Sequence, residues 1–196
     1  MHCSPFFLLA LVFYTILLHF TAIAANPTDG FSSLPLTGDN LDVQKPYDKS
    51  ISQRYSFING VHKLWVYSND NPHTPTSNTQ PRYGYVPSGT TGVSIMQVFG
   101  ASPGPTTLMM KVYGGSLNYY SKTVVEPNIY DRWFRLNVIH DVDASKLQVF
   151  IDGVLKKQVD GKGRATHYFK FGVYAQPNAS HYMESQWKGI KVLKKM

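Results

Sequence analysis

Three observations on this chain predict an all-β fold. No long amphipathic helix is written after the first 25 residues, and short aromatic and β-branched runs are separated by Gly, Pro, Asn and Asp. Three of those separations are two-residue hairpin turns, Asn59-Gly60, Gly114-Gly115 and Asp152-Gly153. Roughly ten strands of this kind, joined by hairpins and longer loops, predict a two-sheet β-jelly roll in which one concave sheet carries the ligand. No internal repeat and no second domain is visible, so residues 26–196 are expected to form one domain.

The elements follow in order. Residues 1–25 read as a signal peptide: Pro5 to Phe20 is an almost unbroken apolar run, and Thr21-Ala22-Ile23-Ala24-Ala25 supplies the small residues of a cleavage site. The run is short for a bilayer span and has no Lys or Arg anchor, so no stable membrane insertion is expected. The secretory pathway is therefore predicted, ending in the vacuole or outside the cell. The only cysteine, Cys3, lies in this leader, so the mature chain must be stabilised by a buried core rather than a disulfide. Asn178-Ala179-Ser180 is a glycosylation sequon, whereas Asn26-Pro27-Thr28 is excluded by its proline.

After a Pro-rich opening (Asn26 to Pro46), Arg54–Ile58 and Val61–Tyr67 form the first predicted hairpin, about Asn59-Gly60. A polar loop, Ser68 to Pro81, leads to a strand over Gly92–Gly100 that carries Gln97 inside an apolar run. Thr106–Tyr113 and Ser116–Tyr120 form the second hairpin. On its first arm Leu108, Met110 and Val112 face one way, while Thr107, Met109, Lys111 and Tyr113 face the other. Arg132–Ile139 alternates in the same manner, and Arg135 and Asn137 share a face that either lines the ligand sheet or is solvated. Lys146–Ile151 and Val154–Val159 make the third hairpin. The basic tail, Lys188 to Lys195, reads as a last strand with Ile190, Val192 and Trp187 packed inward.

The strand over His167–Gln176 differs from the rest. Phe169, Phe171, Val173 and Ala175 share one face; Tyr168, Lys170, Tyr174 and Gln176 share the other, about Gly172. Two phenols, an ammonium and an amide in a row suit a polar, negatively charged ligand, although a solvated face would look similar. The formal net charge of +7 points the same way, towards organic acids, uronate polysaccharides or anionic surfaces. Nucleic acid is not expected, because no basic helix, RNP-like run or zinc-finger spacing is present.

Tyr168-Phe169-Lys170-Phe171-Gly172-Val173-Tyr174-Ala175-Gln176 resembles the YFKAGxYxQ signature of alginate lyases of polysaccharide lyase family seven. Gln97-Val98-Phe99 stands where that family has Q-[IV]-H. The opening at Asn26–Phe31, the hairpin Gln53–Tyr67, Gly92–Pro103 and Tyr130–Asp141 resemble the plant citrate-binding proteins, which share the lyase-like domain. The resemblance implies a concanavalin-like jelly-roll sandwich. It also implies, by position, a ligand surface of Arg82, Gln97, Tyr168, Lys170, Tyr174 and Gln176, to which Lys111, on the second face of its strand, adds a cation. A lyase of this family clamps a uronate carboxylate with Arg and Gln and exchanges protons through His and Tyr.

This chain departs from the pattern twice. Phe99 occupies the histidine position and cannot titrate. After Arg82 the chain passes directly to Tyr83-Gly84-Tyr85-Val86-Pro87, which in relatives lies roughly two dozen residues further on, so the fold is expected to lack one or two strands. Either such a chain folds poorly or the sheet re-pairs in a shortened form. The expected function is binding of citrate or another organic anion, or of an acidic polysaccharide, by a monomer without catalysis. The alternative is β-elimination of uronate polymers through Tyr168, Tyr174 and Gln97. No cofactor and no metal site are expected: His62, His73, His140, His167 and His181 lack ligand spacing. His140, beside Asp141, is expected to make a structural hydrogen bond. No G-x-S-x-G motif or mature cysteine supports a nucleophile.

Overall fold

A computed structural model describes residues 26–37, 41–71, 85–100 and 106–195. The strands in chain order are β1 (Phe31–Leu34), β2 (Tyr55–Ile58), β3 (Val61–Tyr67), β4 (Val93–Gly100), β5 (Thr106–Tyr113), β6 (Ser116–Tyr119) and β7 (Thr123–Glu126). They continue as β8 (Leu136–Asp141), β9 (Lys146–Ile151), β10 (Val154–Asp160), β11 (His167–Ala175), β12 (Tyr182–Lys188) and β13 (Val192–Lys195). The one helical element among the described residues is a single 3-10 turn at Ile51–Gln53.

All three predicted hairpins form, and their turns show why. Asn59, Gly60, Gly114, Gly115, Asp152 and Gly153 all have φ between 51° and 87°, the left-handed conformation that a two-residue turn of this twist requires at both positions. Strands β6 and β7, and β8 and β9, also pair as chain neighbours, whereas β11 with β4, β12 with β3 and β1 with β13 pair across long stretches of chain. A five-stranded sheet runs β11-β4-β5-β6-β7, and two three-stranded sheets run β12-β3-β2 and β10-β9-β8. Strands β1 and β13 pair as an antiparallel ribbon, with Phe31 opposite Lys195 and Leu34 opposite Val192.

One core joins the sheets. Val98, Leu108, Met110, Val112 and Leu117 of the five-stranded sheet pack in a single cluster with Val66, Leu147, Val149, Ile151 and Met183 of the other two. Alternate residues of β5 go to this cluster, which leaves Met109, Lys111 and Tyr113 on the opposite face, as the alternation in the sequence predicts.

Two expectations need correction. Arg132 to Arg135 is not strand; β8 begins at Leu136. The backbone here is committed to a clamp: Asp131 has φ 56°, the Arg132 guanidinium bridges Glu126 and Asp152 at 3.2 and 3.0 Å, and the Arg135 N–H donates to Asp152 at 2.8 Å. Arg135 and Asn137 therefore do not line the ligand sheet, since Asn137 belongs to the sheet of β10-β9-β8. The tail is likewise two pieces, because Trp187 lies near the end of β12 while Val192 opens β13.

Candidate functional site

The register of the five-stranded sheet assembles the site. Antiparallel partners share a face, so each row of paired residues is a row of neighbouring side chains. One row is Lys170, Gln97 and Met109; the next is Tyr174, Ser94, Lys111 and Asn118; a third is Tyr168, Phe99 and Thr106. Irregularities in the ladder at Phe171/Tyr174 and Ser94/Met96 keep Tyr174 opposite Ser94 and so in line with Lys111. Gly172, at φ 137°, sits in the first of them, where a side chain would be strained.

Five of the seven sequence-predicted ligand residues thus share one face of one sheet: Gln97, Lys111, Tyr168, Lys170 and Tyr174. They differ in depth. Gln97 forms the floor at 3% exposure, Lys111, Lys170 and Tyr174 are half-buried, and Tyr168 stands at the rim at 57%. Burial pushes the Lys111 ammonium below its ordinary pKa.

Gln176 lies just beyond β11 and plays a different part. Its backbone N–H donates to the Gly92 carbonyl at 2.8 Å, and its side-chain amide reaches the carbonyls of Ala175 and Tyr174 at 3.1 and 3.4 Å. Those bonds close the turn that carries Asn178. Asn178 itself is exposed and, with Lys111, Tyr113, Ser121 and Pro177, borders a shallow cleft of about 400 Å³. Arg82 and His73 lie outside the described residues.

Phe99 is the residue whose structural role the sequence did not reveal. The Lys170 ammonium lies 3.9 Å from the centroid of its ring, so the side chain at the histidine position supports a cation instead of moving a proton. Asn118, buried beside Lys111 and donating to the Ser116 carbonyl at 2.8 Å, was also missed. Only the pairing of β5 with β6 brings it into the row. His140 stacks edge-on against His167, with ring centroids 4.5 Å apart, rather than serving the site. Among the described residues, no three His, Cys, Asp or Glu side chains are grouped to hold a metal ion.

The alginate lyase family matches residues 65–194, from β3 through the last strand. The chain belongs to this family. A citrate-binding protein of Hevea brasiliensis is 46% identical over 212 positions, covering 98% of this chain and 88% of its own length. Since 98% of 196 residues is about 192, about 20 of those 212 positions fall opposite no residue of this chain. That shortfall is close to the length expected to be missing after Arg82. Among solved structures, alginate lyase AlgAT5 of polysaccharide lyase family 7 superposes with a TM-score of 0.57 at 15% identity, over 84% of this chain and 93% of the lyase. The alginate lyase from Corynebacterium sp. gives 0.56 at 13% identity, over 83% and 92%. At such identities the likeness establishes the fold: this member of the family is a β-jelly-roll sandwich.

Proposed function

We propose that this family member binds small organic anions, citrate first among them, on the face of β11, β4 and β5, and does not cleave a substrate there. The observation that carries the reading is the set of donors without a base. Gln97, Lys111, Lys170, Tyr168 and Tyr174 can all donate to carboxylate oxygens, and Phe99 stands where a lyase would hold its histidine. The name of the Hevea relative supports citrate as the ligand to test. We further propose a secretory-pathway monomer that is vacuolar or extracellular, cut near residue 25 and glycosylated at Asn178.

Calorimetric titration with citrate and with oligouronates tests this reading. Saturable binding of citrate near neutral pH is expected, and absence of heat with every organic anion would end the proposal. The second reading, uronate elimination, draws on the Tyr168 and Tyr174 phenols of the same face. Ultraviolet absorbance from unsaturated uronates on incubation with alginate or pectate would favour it over binding alone.

A further inference from the structure

Between the edge of β11 and the ribbon of β1 with β13, the core opens to the surface in a cleft of about 650 Å³. The cleft falls within the range of small-molecule sites, and its walls are mostly apolar. Phe169 and Phe171 form one side; Leu36, Leu41, Ile190 and Val192 form the other. Phe169 is 45% exposed because it faces this opening instead of the core.

Polar residues interrupt the apolar lining, with Tyr168 at the rim among them. Lys170 borders the cleft where it meets the anion face, Asp42 lies on the N-terminal wall, and Gln44 lies beside it. The Gln44 side-chain oxygen is buried and has no hydrogen-bond partner among the described residues. Burying an acceptor without a donor forfeits its bonds to water and gains nothing in return, so each such atom calls for an explanation. A bound molecule carrying an N–H or O–H would supply the donor.

We infer that this cleft binds a second class of ligand: an amphipathic molecule with an apolar, largely aromatic body, one acidic group and one N–H or O–H donor. The body would lie between the phenylalanines of β11 and the leucines of the N-terminal segment, the donor would meet Gln44, and the acidic group would meet Lys170. Citrate does not suit this space. Its three carboxylates would be buried against leucines and isoleucine with one cation in reach and Asp42 opposing them. The inference goes beyond the anion site, which the cleft adjoins along Lys170, Tyr168 and Phe99.

The probe is 8-anilinonaphthalene-1-sulfonate, which has an aromatic body, one anionic group and one N–H. Titrated into the purified protein, it is expected to bind at one site per chain. Leu41→Trp, which fills the cleft, should weaken it by about tenfold or more, and Gln44→Leu by a few-fold, each with the thermal unfolding transition retained. Citrate binding should survive Leu41→Trp and fall with Lys111→Met, which in turn should leave the probe unaffected. Absence of saturable probe binding, or binding indifferent to both Leu41→Trp and Gln44→Leu, overturns the inference while leaving the citrate reading standing. Loss of citrate binding in the unaltered protein strikes the proposed function alone.

Discussion

The ammonium of Lys170 lies 3.9 Å from the centre of the Phe99 ring. Each comes from a different strand, and the β4–β11 register puts Phe99 opposite Tyr168 and one row from Lys170. An aromatic face attracts a cation by about 0.5–2 kcal/mol, depending on how far the pair is desolvated. The ring therefore holds the ammonium in place beside Gln97 instead of letting it sample solvent. Phe99→Leu keeps the apolar character but removes the face. Citrate affinity should fall about two- to fivefold, measured by calorimetry, with the unfolding transition retained. An unchanged affinity would mean that Lys170 does not meet the ligand.

The histidines at the edge of the two sheets predict how stability depends on pH. Burial, and then the charge of His167, hold the His140 pKa below its ordinary 6.5, with Asp141 acting in the opposite sense. The unfolded chain therefore takes up a proton at a higher pH than the folded one. Stability should fall as the pH drops below about 6.5 and level off below the folded pKa. Burial depresses the His62 pKa as well, so it adds in the same direction. Urea midpoints between pH 7.5 and 5 should decline in the wild type and decline less in His140→Phe. Equal slopes would remove His140 from the account.

How much of this was legible in the sequence depended on the range of the interaction. The three hairpins were legible because Asn-Gly, Gly-Gly and Asp-Gly specify a turn locally, and the alternation along β5 sorted core from ligand face without any structure. Strand β12 was not, because Glu184 sits within it at 6% exposure, and a buried carboxylate looks like a loop residue until its partners are known. Strand β1 was hidden in a Pro-rich opening and exists through its pairing with β13, across nearly the whole chain. In the site, the residue types of β11 were informative, whereas the support of Lys170 by Phe99 and the place of Asn118 required the register.

Glu184 supplies a third prediction. Burial works against its charged form, but bonds from Lys63, Tyr182 and Gln186 outweigh that and hold the carboxyl below its ordinary pKa. Lys63 approaches at 2.8 Å, the Tyr182 hydroxyl at 2.5 Å and the Gln186 amide at 2.8 Å. A depressed carboxyl pKa stabilises the fold above the unfolded value of 4.5, and that contribution is lost as the pH falls through the folded pKa. Glu184→Gln keeps the shape and loses the charge. It should lower stability by about 1–3 kcal/mol at pH 7, and the difference from wild type should shrink in acid. A difference that does not vary with pH would contradict the assignment.

The last prediction separates backbone strain from close packing. Gly92 has φ +67°, and a Cβ there would lie 2.6 Å from the Ala179 Cα and 2.7 Å from the Asn178 carbonyl oxygen. Its own carbonyl accepts the Gln176 N–H, so this contact fixes the turn that presents the sequon. Gly163 has nearly the same φ, +70°, and a Cβ at that position would meet nothing within 4 Å. Replacing either by alanine incurs the left-handed penalty of about 1 kcal/mol. Only at Gly92 must the opposing backbone also move, and backbone cannot yield as a flexible side chain does. Gly163→Ala should therefore cost about 1 kcal/mol in urea denaturation and Gly92→Ala about 2–4 kcal/mol. Equal losses would show that the turn at Asn178 gives way without resistance.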